Sequence, residues 1–294
     1  MSSRVLPWLL GVYAVSWGWA GLIALSGRPT VGLAFVLLAL PFIFGPAAVS
    51  WLWRRYVVRE GPFEDLNMLH VGNPALTGWL GAIAFVWLAA LVAHVMGWGA
   101  LDLSGQAIAN RMNEVQGPEK AAEALTAMQA APVPYAVIAS LQALLVGLLY
   151  APIRLCEELG WRGVLARELA PLGPWGSAVL SGLLWGIWRV PLVWMGGYFS
   201  DAPAAGALAM VAASVPQGVL LVWLARRAKS VWAPAIAQGV LTAIGPFNEL
   251  VSVGGNPVLT SPMGAAGGVA ALLLVAVAWG LDRREAAAAA DAPR

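Results

Sequence analysis

The sequence predicts an all-α fold: a polytopic membrane helix bundle of about eight transmembrane helices. Three observations carry this. Of 294 residues, 60% are apolar and only 11% are charged, against roughly 25% charged in a soluble domain, which leaves too little polar surface to coat a water-soluble globule. Apolar runs of about 20 residues, each able to cross a hydrocarbon core of roughly 30 Å, recur along the whole chain. The basic residues between those runs segregate to one side, as they do across a real bilayer.

The runs place helices at about 5–25, 31–53, 75–97, 133–155, 175–196, 204–225, 231–247 and 263–281. The first is long and lacks a small-residue cleavage site, so it reads as a membrane helix and not a signal peptide. Two connections are longer than the rest. Arg54 to Pro74 is polar and ends in the turn signal Gly72-Asn73-Pro74. Gly99 to Pro132 holds Asn110, Arg111, Asn113, Glu114, Glu119, Lys120 and Glu123 and reads as amphipathic helix at the surface. The Ala-rich tail after Arg284 reads as frayed. Many of the sixteen Trp fit interfacial belts.

With eight spans, the N-terminus, the even-numbered loops and the C-terminus share a side. That side collects twelve of the seventeen Lys and Arg, and the other side holds three, Arg28, Arg111 and Lys120. The expectation is an integral protein of a cytoplasmic (inner) membrane with both termini cytoplasmic. The net charge of +2 and the lack of a basic block argue against a nucleic-acid partner, and a single Cys156 excludes an intrachain disulfide. One membrane domain, 1–294, is expected: N-terminal helices and amphipathic loop over 1–130, a core over 131–250, and a last helix and tail over 251–294.

Arg154 and Arg189 fall inside spanning segments, where ionisable groups are costly and mark function. Arg154 belongs to Arg154-Leu-Cys-Glu157-Glu158-Leu-Gly-Trp161-Arg162-Gly. On a helix, Arg154 faces Glu157 at i+3 and Glu158 at i+4, and Glu158 faces Arg162 at i+4, so the segment can neutralise itself in pairs. The plain reading is an ion-paired helix end at the cytoplasmic interface. The chemical reading makes one of two adjacent carboxylates a general base on a water. Gly160 and Gly163 leave room for another backbone, and Pro152 can kink the helix. Cys156 reads as packing, since nothing dedicated activates it. Asn248 and Glu249 read as caps of a turn.

Glu157-Glu158-x-x-Trp161-Arg162-Gly163 resembles the first motif of the CPBP family, the CAAX-protease and bacteriocin-processing (Abi) intramembrane proteases. Gly182-Leu-Leu-Trp185-Gly-Ile-Trp188-Arg189-Val-Pro191 is similar to the second, an aromatic followed by His and then Pro. Ser230 to Thr242 is similar to the third, His-x-x-x-Asn. The resemblance covers roughly 130 to 245 and implies a CAAX-protease-like core. It implies that Glu157 activates water, with Glu158, Arg162, Arg189 and Gln238 as further catalytic candidates, and Arg154, Trp161, Trp185, Trp188 and Thr242 at the substrate.

The sequence departs from the family where the chemistry is most demanding. The second-motif His position is Arg189, the third-motif His is Gln238, and its Asn is Thr242. A guanidinium stays protonated and has no lone pair to give a metal, so no zinc and no other cofactor is expected. Arg189 is expected instead to bridge to Glu157 or Glu158. His94 lies toward the opposite face and His70 in the cytoplasmic loop, so neither restores a two-histidine site. Three functions follow. One is an endopeptidase using Glu157 without zinc, with Arg189 and Gln238 as oxyanion donors. Another is an enzyme doing Glu acid–base chemistry on an isoprenoid-like lipophilic substrate. The third is an inactive scaffold or regulator. The partners implied are membrane lipids and a hydrophobic, prenylated or isoprenoid-like chain.

Overall fold

The computed structural model describes residues 5–27, 32–61, 63, 74–196, 198–245 and 251–290; His70, Asn248 and Glu249 lie outside them. Val5–Leu25 forms α1 and Gly32–Leu52 forms α2, which runs on into a π-helical turn, Trp53–Val58. Then come α3 (Pro74–Val95), the strand β1 (Ala100–Leu101), α4 (Gln106–Gln116) and α5 (Pro118–Ala130). The central helix α6 is Tyr135–Glu158, prolonged by a π-helical segment, Leu159–Leu165. It is followed by α7 (Gly173–Trp194), α8 (Pro203–Ala228), α9 (Trp232–Ile244), the strand β2 (Ser252–Val253) and α10 (Ala265–Ala290).

Among the described residues seven helical stretches are long and apolar enough to cross a membrane, which makes this a polytopic integral membrane protein. The eighth expected span, 231–247, is occupied by a shorter apolar helix. Here α9 has 13 residues, roughly 20 Å at the helical rise, too short to cross alone. The tail is a correction: α10 continues to Ala290. Alanine is the strongest helix former, and Arg227 of α8 ties the segment down through Asp282 and Glu285. The connection 99–132 forms α4 and α5 as expected. It also carries a feature that hydropathy does not signal: β1 pairs antiparallel with β2, Ala100 opposite Val253.

Small residues set the helix contacts. In α6, a Cβ on Gly147 would stand 2.6 Å from Val240 Cα, and in α9 a Cβ on Gly239 would stand 2.9 Å from Ala151 N. The two backbones therefore touch, as in membrane helix pairs that lack a hydrophobic drive to associate. Proline costs are met locally. Pro46 in α2 leaves the carbonyl of Phe42 without its helical donor, and the Ser16 hydroxyl of α1 donates to that oxygen at 3.0 Å. Pro46 also fills the space that Gly160 leaves open, with its Cβ 2.6 Å from where a glycine-replacing Cβ would sit.

Candidate active site

The charged cluster sits where α6 gives way to the π-helical segment, a kind of helix distortion that recurs at functional sites. Glu157 and Glu158 are 1% and 0% exposed, so the cluster is buried inside the protein. Two intrahelical pairs form. Arg154 Nη1 donates to Glu157 Oε1, and Arg162 Nη1 donates to Glu158 Oε1 at 2.9 Å. The closeness of Glu158 and Arg154 at i+4 yields no ion pair among the described residues.

The other two motif segments close over these carboxylates. From α7, the Trp185 indole Nε1 donates to Glu157 Oε2 at 3.3 Å. From α9, the Gln238 amide Nε2 donates to Glu158 Oε1. Thr242, one turn further along α9, accepts a 2.8 Å hydrogen bond from Arg154 Nε and gives its own proton to the Gln238 carbonyl. Both oxygens of Glu157 are thus engaged. Glu158 Oε2 is buried without a partner, as are Arg162 Nε and Nη2.

Arg189 departs from expectation. It makes no ion pair with Glu157 or Glu158. One turn after Trp185 on α7, its guanidinium carbon lies 4.7 Å from the Trp185 ring centroid and 5.6 Å from that of Tyr198. Its Nη1 and Nη2 reach the Met263 thioether at 3.4 and 3.5 Å. The reason is occupancy: each glutamate already holds an arginine from its own helix, and Trp185 stands between Arg189 and Glu157. The Arg162 guanidinium carbon is also 4.6 Å from the Trp185 ring centroid, so one indole serves two cations. Gln238, spending its amide on Glu158, is not the free oxyanion donor the sequence suggested.

A cavity of about 290 Å³ opens beside the cluster between α3, α8, α9 and α10. Arg154, Trp185, Arg189, Gln238 and Thr242 line it; Glu157, Glu158 and Arg162 sit behind that layer. Trp161 and Trp188, expected at the substrate, do not line it. They pack in the core, Trp161 edge-on to Trp8 with centroids 5.7 Å apart and Trp188 on Phe42 at 4.5 Å. Cys156 gives its thiol to the Pro152 carbonyl at 3.7 Å. His94 accepts the backbone N–H of Leu101, beyond the end of α3. Among the described residues no group of three or more His, Cys, Asp or Glu could hold a metal ion.

The motif order Glu-Glu, Trp-x-x-x-Arg, Gln-x-x-x-Thr thus converges on one buried cluster. Residues 135–244 match the family model described as type II CAAX prenyl endopeptidase Rce1-like. This segment is an Rce1-like core. At family level the core is CAAX-protease-like, an intramembrane endopeptidase type, and it holds Glu157, Glu158, Arg162, Trp185, Arg189, Gln238 and Thr242 within its bounds. The comparison with curated proteins finds no match. Three residues at the cavity of the Rce1-like core escaped the sequence reading: Tyr198, Gln217 and Met263. Gln217, a polar residue within the apolar run of α8, carried the usual signal of an intramembrane polar group; its Nε2 donates to the Pro262 carbonyl at 2.8 Å. Met263 carried none.

Proposed function

We propose that the chain is an intramembrane endopeptidase of the CAAX type that admits a lipophilic, prenylated segment into the cavity and cleaves beside the Glu157 cluster. The observation that carries this reading is the meeting of Glu157 and Glu158 with Trp185 and Gln238, one residue from each remaining motif, at the polar end of that cavity. Glu157 draws a proton from a water, the water oxygen attacks the scissile carbonyl, and the proton passes to the leaving amine. Arg154, which lines the cavity and pairs with Glu157, supplies positive charge to the oxyanion.

The donor set does not fit the zinc that the family resemblance implies. A guanidinium at Arg189 offers no lone pair, and Gln238 turns its amide N–H onto Glu158. Each glutamate already has its charge met by an arginine, where zinc wants three or four N, S or O ligands. We therefore read the hydrolysis as running without zinc, and we read both termini as cytoplasmic from the basic-residue asymmetry. The test is purified protein in liposomes with S-prenylated peptides. Cleavage should occur, survive chelators and be lost in Glu157→Gln by at least a hundredfold, the scale of a general base. Stoichiometric zinc in active protein, or full activity in Glu157→Gln, overturns the reading. A second reading, a non-catalytic binder of lipophilic chains, draws on the seclusion of both carboxylates behind the cavity lining. It expects saturable binding without cleavage, and the same binding in Glu157→Gln.

A further inference from the structure

We infer that the cavity takes a single-chain lipophilic carboxylate, its head on Arg189 and its chain along the apolar wall. This rests on the proposed function only in using the same cavity, and it names the head group that the cavity selects.

Charge comes first. Among the described residues the cavity lining contains two cations, Arg154 and Arg189, and no carboxylate. Arg154 has its counter-charge in Glu157. Arg189 has none within ion-pair distance among the described residues, although it is only 7% exposed. Its terminal nitrogens both point at one thioether sulfur, a weak acceptor. The two aromatic faces beside it stabilise a cation but offer it no anion. Within a membrane an uncompensated guanidinium is costly and is normally paired. The two-nitrogen edge that now meets Met263 is the edge that binds a two-oxygen anion in bidentate fashion.

Shape and charge then narrow the ligand. Away from Arg189 the wall is Leu220, Leu224, Leu241, Leu274, Val277 and Leu281, contributed by α8, α9 and α10. A volume of about 290 Å³ lies at the small end of ligand pockets and suits one chain. One positive charge without a counter-charge among the described residues selects a monoanion, and a carboxylate meets that where a diphosphate brings surplus negative charge into a low-dielectric site. Two sources share this chemistry, a free fatty acid and the C-terminal carboxylate of a lipidated peptide.

The experiment measures binding to purified protein in nanodiscs. Its ligands are a radiolabelled medium-chain fatty acid against its methyl ester, and an S-prenylated dipeptide acid against its amide. In the wild-type protein at least one acid should bind roughly tenfold or more tighter than its neutral partner, the scale of a charge-assisted hydrogen bond. Arg189→Met should bring that ratio to about one, and Arg189→Lys should keep part of it. Preference within the fatty-acid pair names a free lipid as the source; preference within the peptide pair alone names a chain terminus. Equal binding of acid and neutral forms in both wild-type pairs overturns the inference with no variant needed, as does an acid preference untouched in a folded Arg189→Met protein. Because the readout is binding, a protein that prefers the acid yet cleaves nothing refutes the proposed activity alone. One that cleaves without preferring the acid refutes the head-group assignment alone.

Discussion

Arg162 and Glu158 face each other with neither side chain exposed at all. Taking two charges out of water costs several kcal/mol each, and mutual attraction repays that only if further hydrogen bonds share the load. Gln238 provides one to Glu158, and the Trp185 ring lies against Arg162. Removing one partner strands the other, so Arg162→Met should cost about 3–5 kcal/mol. The Arg162→Met, Glu158→Gln double variant should cost clearly less than the two single changes summed, read from equilibrium unfolding in micelles; strict additivity would show that the pair contributes nothing as a pair. This pair was legible in the sequence, since i,i+4 spacing on one helix fixes who can face whom. The contacts of Trp185 with Glu157, and of Arg189 with Met263 and Tyr198, were not. They depend on how α7 is rotated against α6 and where Met263 falls ahead of α10, and hydropathy carries neither. The expectation that Arg189 would neutralise an acid failed because Arg154 and Arg162 had already done so from within their own helix.

At the level of elements, the site exists because α9 lies so close to α6 that Gln238 reaches Glu158 and Thr242 reaches Arg154. Gly147 and Gly239 set that closeness. Gly147→Ala would push a methyl to 2.6 Å from Val240 Cα, and backbone cannot yield as a flexible side chain does. It should lower the unfolding temperature and impair the Glu157-dependent activity together. Gly280 in α10 is the internal control: a Cβ there meets nothing within 4 Å, so Gly280→Ala should be neutral or stabilise by about 0.5–1 kcal/mol through helix propensity. If Gly147→Ala and Gly280→Ala behave alike in a thermal melt, tight α6–α9 packing is not what holds the site. The end of α9 was half legible. Gly245, at φ 56, precedes Pro246, a recognisable stop signal, yet the apolar run continuing past it suggested a full span. The π-helical prolongation of α6 had no sequence signal beyond the glycines around Trp161, since the same residues are compatible with ordinary helix.

A short α9 raises the question of how the whole chain keeps its two-sided layout. Ala233, at the beginning of α9, touches Gly78 near the start of α3. β2, which follows α9, pairs with β1 beyond the end of α3. The 22 residues of α3 span roughly 33 Å, and α9 accounts for roughly 20 Å of that distance. Residues 245–251 can bridge the remainder, at up to about 3.5 Å per residue when extended. The chain is therefore expected to change sides between Lys229 and Ser252, although among the described residues no single helix in that stretch is long enough to cross alone. Labelling tests this directly. In a Cys156→Ala background, Lys229→Cys, at the exposed end of α8, and Ser104→Cys, next to the β1–β2 pair, should react with a membrane-impermeant maleimide from opposite faces of sealed vesicles. Reaction of both from the same face would mean that α9 turns back within the bilayer. The basic residues counted on either side of the membrane would then have to be reassigned from Lys229 onward.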